Sequence, residues 1–329
     1  MKVARTARIY RGTPRNLARL ARALRAGELV AVPTETVYGL AANALDARAC
    51  AKIFHAKGRP TNDPLIVHIH ALDQLSLIAE PNEAAFKLAR AFWPGPLTLV
   101  LPKRQVVPNI VSSGLPSVAV RMPAHRLFRR LLKLAGLPLA APSANPFGYV
   151  SPTSAAHVRA NLRDKISYIL DGGASTIGVE STIVDLREPA RPRVLRPGAV
   201  TRDDIERVLG VTVRTKKPAS RGAQVAPGLL ARHYSPRTPA VLHRALSPAA
   251  ARASRSEAWI FITRPEGARG SNIFWLDERG DLRGVARRLF ATLRRVDSGG
   301  FTKIHLERAE GGGLADAIND RLARAAARD

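Results

Sequence analysis

Cysteine is almost absent from this 329-residue chain. Cys50 is the only one, so an internal disulfide and a cysteine zinc cage are both excluded, and its helix-like surroundings fit a small buried side chain rather than a redox centre. Long apolar runs are missing too: none reaches the roughly 20 residues of a membrane helix. The N-terminus MKVARTARIYRGTPRN is basic but lacks the apolar core of a secretory signal. A cytoplasmic protein with no membrane partner is expected. Acid is scarce, 26 Asp+Glu against 52 Lys+Arg, for a net charge of +26. The chain also lacks a GxxxxGK[ST] phosphate loop, a GxGxxG after a strand, a GxSxG elbow, an HExxH and the kinase set. Any nucleotide is therefore held by a less familiar route.

What is present is a globular composition, 46% hydrophobic and 24% charged, at a length that suggests two domains. Only ten of the 52 basic residues are lysine. The excess is arginine along the whole chain, which reads as a solvated basic surface, with polyanion contact as the other reading. The densest run, Arg5 to Arg25, includes a helical face from Arg15 onward, with Leu17, Leu20 and Leu24 opposite, Thr13 as cap, Pro14 at the first position and Gly27 as terminator. A strand is expected over 28–33. Short β-branched runs then alternate with helical patterns to about residue 210, which predicts a layered α/β domain. Residues 211–238 have little periodicity and read as a linker. A smaller α/β domain is expected over 239–329.

The polar residues that could carry chemistry sit at strand ends and in Pro/Gly-rich loops. VAVPTETVYGL presents Thr34, Glu35, Thr36 and Tyr38, either as exposed hydroxyls or as the cap of a following helix. Lys57 and Arg59 flank a glycine and suit phosphate or carboxylate, unless they are merely solvated. In SVAVRMP, Arg121 shares the small-residue face of a central strand with Ser117 and Ala119, where it needs an anion. His68 and His70 share a strand face without an evident third ligand, so no protein-held metal is assigned. The loop APSANPFGYVSPTS offers Ser143, Asn145 and Ser151; DGGASTIGVESTIVDL brings Glu180, Ser181 and Thr182; Arg196 ends a strand. Together these describe a pocket of cations and hydroxyls without a nucleophilic triad, suited to electrostatic positioning of anions.

The ordered set PTETVYGLAANA, Lys57–x–Arg59–Pro60 into DPLIVHI, WPGPLT, VAVRMP, APSAN with SPT, GVESTIVD and LRPG resembles the YrdC-like family of threonylcarbamoyl-adenylate synthases over about residues 14–210. APGLLARHYSP and GGGLADAINDRLARAA resemble its two-domain form, which has a Rossmann-like C-terminal domain. The resemblance implies a YrdC-like twisted mixed sheet and a reaction of L-threonine, bicarbonate or CO2, and ATP with Mg2+. The product would pass to a separate tRNA threonylcarbamoyl transferase. Carried over residue by residue, Thr34, Tyr38, His68, Arg121 and Ser181 would serve threonine or its carbamate. Lys57 and Arg59 would clamp phosphates and the nascent carbamate, Asn62, Ser143, Asn145, Ser151 and Arg196 would hold ATP, and Tyr234 would close over the nucleotide from a linker acting as a lid. The family often has Asn where this chain has Asp63, beside Asn62. The alternative to a synthase is a noncatalytic double-stranded RNA or tRNA-binding protein, for which the net charge speaks and the shortage of stacking aromatics does not.

Overall fold

A computed structural model describes residues 6–215, 224–228 and 233–327. Of the expected linker, 216–223 and 229–232 lie outside the described residues, as does Arg5 of the basic run.

Local chemistry sets the helix ends. Thr13 accepts from the Asn16 N–H ahead of the helix Pro14–Arg25. Asp46 caps Ala47–Lys57, accepting from Arg48 and Ala49, and Gly58 ends that helix at φ 62, a left-handed turn that suits glycine. Cys50 is buried in this helix and burial pushes its thiol up to about 12, so it is inert packing.

The first domain is built on an eleven-stranded mixed sheet. From edge to edge its strands are Arg8–Arg11, Tyr168–Asp171, Val30–Val32, Gly39–Asn43, Leu139–Ala140, Ile66–His68, Ser117–Arg121, Leu97–Pro102, Thr182–Asp185, Arg193–Arg196 and Arg214–Thr215. The expected strand over 28–33 is thus Val30–Val32, and part of the basic N-terminal run is an edge strand. Val118 and Val120 enter the main core with Leu65, Val67, Leu97 and Leu99, while Ala119 faces a smaller cluster with Ile66, Val100, Ile183 and Leu195. That alternation is the period of two expected for SVAVRM. The small-residue side leaves room for a cleft.

The second domain has a four-stranded, all-parallel sheet in the order Ala240–His243, Ile304–Glu307, Ala258–Thr263, Ile273–Asp277. Long helices Leu282–Asp297 and Leu314–Ala325 pack on it. Such a parallel sheet with crossover helices is the Rossmann-like arrangement. The two domains share a core: Val37, Val150, Val179 and Tyr234 pack with Val285, Leu289, Phe290 and Leu293. Gly178 permits this approach, because a Cβ there would lie 2.4 Å from the backbone of Ala286 and Arg287. The expected linker begins inside the first sheet, with Arg214–Thr215 as its last strand and Val213 in the main core.

Candidate active site

Sheet register builds the floor of the site. Ile66–His68 runs parallel to Ser117–Arg121 with Ile66 opposite Ala119 and His68 opposite Arg121. Opposed residues project from the same face, so His68 and Arg121 emerge side by side where both strands end. They line a cleft with Thr34, Thr36, Arg59, Ser143, Glu180, Ser181 and Arg196 from the first domain, and with Gly228, His233 and Tyr234 from the expected linker.

Arg121 finds its anion inside the protein. Its Nη2 donates to Oε1 of Glu35 at 2.5 Å, Nη1 to Oγ1 of Thr36 at 3.0 Å, and Nε to the Gly95 carbonyl at 3.1 Å. Burial alone would raise the Glu35 carboxyl, but the Arg121 charge and hydrogen bond hold it below the usual range. The Thr–Glu–Thr run is a turn, not a helix cap: Thr34 Oγ1 accepts from the Thr36 and Val37 N–H groups at 3.1 Å, and the strand Gly39–Asn43 follows.

Arg196 donates through Nε to the Ser181 carbonyl at 3.1 Å and through Nη2 to Ser181 Oγ at 3.2 Å, and Ser181 Oγ also meets Thr98 Oγ1 at 2.7 Å. Arg59 donates to the Asp63 and Pro64 carbonyls at 2.8 and 2.6 Å and pairs with the Asp63 carboxylate at 2.9 Å. Asp63 therefore turns to Arg59 rather than into the open cleft. Burial pushes Asp63 up, against Arg59, Lys57 and Arg196. Lys57 Nζ donates to the Ser143 and Asn145 carbonyls at 2.5 Å each, so it pins the Ser143–Asn145 loop. Burial, then repulsion from Arg59, pushes Lys57 well below its ordinary value. Burial drives His68 down to about 3, with Arg121 adding to it, and drives His233 well below its usual range. Both rings are neutral at physiological pH. The result is a desolvated cluster at the ends of several strands in which Arg121 and Arg59 pair with Glu35 and Asp63 while Arg196 meets only neutral acceptors, so an anionic ligand would find one uncompensated guanidinium and compete with carboxylates for the other two.

Of the residues singled out in the sequence, Thr34, Arg59, His68, Ser143, Arg121, Ser181, Arg196 and Tyr234 come together at the cleft. Lys57 lies behind it. Tyr38 is buried beside Asp171, its hydroxyl donating to the Gly173 carbonyl at 2.7 Å. Asn145 spends its amide on the Pro146 and Tyr149 carbonyls, and Ser151 donates to Glu180 at 2.6 Å, so both shape the wall from behind. Asn62 is exposed and does not line the cleft. Thr36 and Glu180, named among the pocket's polar residues without an assigned ligand, also line the cleft, and Gly228 and His233 line it without having been singled out in the sequence. Thr36 and Glu180 lie within recognised motifs, and His233 directly precedes Tyr234, so position within the motif was the available signal.

Residues 22–198 match the Sua5/YciO/YrdC family, described as "Telomere recombination", and residues 200–327 match "Threonylcarbamoyl-AMP synthase, C-terminal domain". The chain belongs to the Sua5/YciO/YrdC family. A threonylcarbamoyl-AMP synthase of Pyrococcus abyssi is 46% identical over 315 residues, covering 92% of this chain and 91% of its own length. One of Bacillus subtilis is 46% identical over 226 residues, covering 68% and 65%. The solved structure of P. abyssi Sua5 complexed with L-threonine is 40% identical with a TM-score of 0.90, covering 97% of this chain and 98% of that one. E. coli YciO, at 20% identity and a TM-score of 0.52, shares the fold over 58% of this chain. These relatives decide between the synthase and the noncatalytic RNA-binding reading in favour of the enzyme.

Proposed function

We propose that this member of the Sua5/YciO/YrdC family condenses L-threonine, bicarbonate or CO2, and ATP into threonylcarbamoyl-AMP and pyrophosphate, for threonylcarbamoyladenosine modification of tRNA. The observation that carries the reading is the cleft itself, in which buried Arg59, Arg121 and Arg196 face one space beside neutral His68 and the hydroxyls of Thr34, Ser143 and Ser181. The chemistry needs this composition. The amine of threonine attacks CO2, forming the N–C bond and losing a proton. A carbamate oxygen then attacks the α-phosphorus in line, and the bond to the bridging oxygen breaks to release pyrophosphate. No covalent enzyme intermediate is required, so the protein's work is positioning and charge stabilisation.

In this reading Arg121 takes the threonine carboxylate, with Thr34, His68 and Ser181 around it. For that the substrate must replace Glu35 on Nη2, one carboxylate for another. Arg59, Ser143 and Arg196 serve the phosphates and Tyr234 covers the nucleotide, with Lys57 holding the Ser143–Asn145 loop in place. Tyr38, Asn145 and Ser151 support that wall from the second layer, and Asn62 offers only its carbonyl, which accepts from Gln224 N–H at 2.9 Å. Among the described residues no group of three His, Cys, Asp or Glu side chains could hold a metal ion. Mg2+ would enter on the triphosphate oxygens as part of the substrate.

The test is incubation of the purified chain with ATP, Mg2+ and bicarbonate, with and without L-threonine, following pyrophosphate and detecting the adenylate by mass. Product that depends on both threonine and bicarbonate is expected. ATP turnover indifferent to threonine would refute the reading.

A further inference from the structure

We infer that Arg321, on the final helix of the second domain, is a positioning residue for the nucleotide end of the cleft and acts through Glu180. Arg321 is completely buried, and its guanidinium is occupied on every side. Nε donates to Glu180 Oε2 at 3.0 Å, Nη2 to the Glu180 carbonyl at 3.4 Å, and Nη1 to the Pro197 carbonyl at 2.7 Å and to Asp320 at 2.9 Å. These contacts join two turns of the first domain. One carries Glu180 and Ser181, and the other carries Arg196 and Pro197. The turns are packed so closely that a Cβ on Gly198 would lie 2.4 Å from the Thr182 nitrogen. The guanidinium carbon also sits 5.5 Å from the centre of the Tyr234 ring. One side chain of the second domain thus backs Glu180, Tyr234 and the Pro197 carbonyl beside Arg196, all at the same end of the cleft.

Burying an arginine this deeply is costly, and a domain interface made for adhesion alone would be served by apolar packing. The electrostatics give it a purpose. Glu180 lines the cleft, and an uncompensated carboxylate there would repel the triphosphate that Arg59 and Arg196 attract. Arg321 takes one oxygen of Glu180, and the hydroxyl of Ser151 takes the other at 2.6 Å. The negative charge is thereby neutralised and held to the wall. The second domain completes the site in this way without touching substrate, which also accounts for the GGGLADAINDRLARAA motif that the proposed chemistry leaves unused. The assignment of this end to ATP rests on the proposed function.

The experiment is a double-mutant cycle on the full chain: wild type, Arg321→Met, Glu180→Gln and the double variant, with Arg321→Lys as the charge-conserving control. Each is measured for KM of ATP and of threonine, and for ATP binding by equilibrium dialysis. Arg321→Met is expected to raise the KM and Kd for ATP about tenfold or more in the wild-type background and less than about twofold in the Glu180→Gln background. Threonine KM should move less than about twofold, and Arg321→Lys should fall between. Equal loss for both substrates, or a loss that Glu180→Gln does not relieve, marks a merely structural role and overturns the inference, as does unchanged ATP affinity in folded Arg321→Met. If Arg321→Met fails to fold, the same ATP-specific loss in Arg321→Lys, relieved by Glu180→Gln, carries the inference, and its absence refutes it. Lack of threonine-dependent product in the wild type would instead sink the proposed function, while the dialysis result still judges Arg321.

Discussion

Replacing Arg121 by Met should separate the stability and the chemistry of the site. Both members of its ion pair are buried, with side-chain exposures of 4% for Arg121 and 9% for Glu35, and the guanidinium makes three hydrogen bonds. Arg121→Met leaves Glu35 as an unpaired buried carboxylate, a defect of about 3–5 kcal/mol. At a urea m value of about 3 kcal/mol/M the first-domain midpoint should fall by about 1–1.7 M. Adding Glu35→Gln removes the orphaned charge, and the double variant should recover most of that midpoint. It should not recover threonine binding. Losing a charged hydrogen bond to the substrate carboxylate costs about 1.5–3 kcal/mol, on the order of 10- to 150-fold in Kd. Urea unfolding followed by tryptophan fluorescence gives the first quantity and titration calorimetry with L-threonine the second. A single variant within about 0.5 kcal/mol of wild type would refute the buried-pair argument, since that is the range of ordinary surface changes. A double variant with wild-type threonine affinity would refute the carboxylate role.

Two further outcomes follow from the geometry. Gly178→Ala places a Cβ against the backbone of the Leu282–Asp297 helix at a φ of +87, so overpacking and left-handed strain together should cost about 3 kcal/mol. At about 2–4 °C per kcal/mol this lowers Tm by about 6–12 °C in a calorimetric scan, and an unchanged scan would show the interface to be looser than drawn. Acid should destabilise the fold through its buried neutral histidines. His68 is held at about 3 while its unfolded value is about 6.5, so the unfolded chain binds the extra proton. Stability from this group is full above about pH 6.5 and is lost as pH falls toward 3, amounting to about 2 kcal/mol by pH 5. His233 and His157, both lowered chiefly by burial, act in the same direction. Comparing urea midpoints at pH 7 and pH 5 in wild type and His68→Asn checks this. The variant should lose less on acidification, and an equal loss would remove His68 as a cause.

The sequence by itself determined the elements and most of the cleft's inventory. Thr13 and Pro14 mark a helix start through contacts three residues apart, and SVAVRM marks a half-polar strand through its period of two. The run of motifs from PTETVYGL to LRPG names most of the residues that line the cleft, because they sit at the strand ends where an α/β sheet opens to ligand. Tertiary structure alone decided which charges meet. Arg121 requires an anion on any reading of its strand, but nothing local says that Glu35, 86 residues away, supplies it. Lys57 and Arg59 look equivalent two residues apart, yet the left-handed turn at Gly58 sends one to carbonyls of the Ser143–Asn145 loop and leaves the other at the cleft. Arg321 reads as one more basic residue on an amphipathic helix until domain packing brings it against Glu180, 141 residues away. Secondary structure is written in contacts between near neighbours, which periodicity displays. The pairing of buried charges depends on strand order and domain docking, and these are settled only when the whole chain closes on its core.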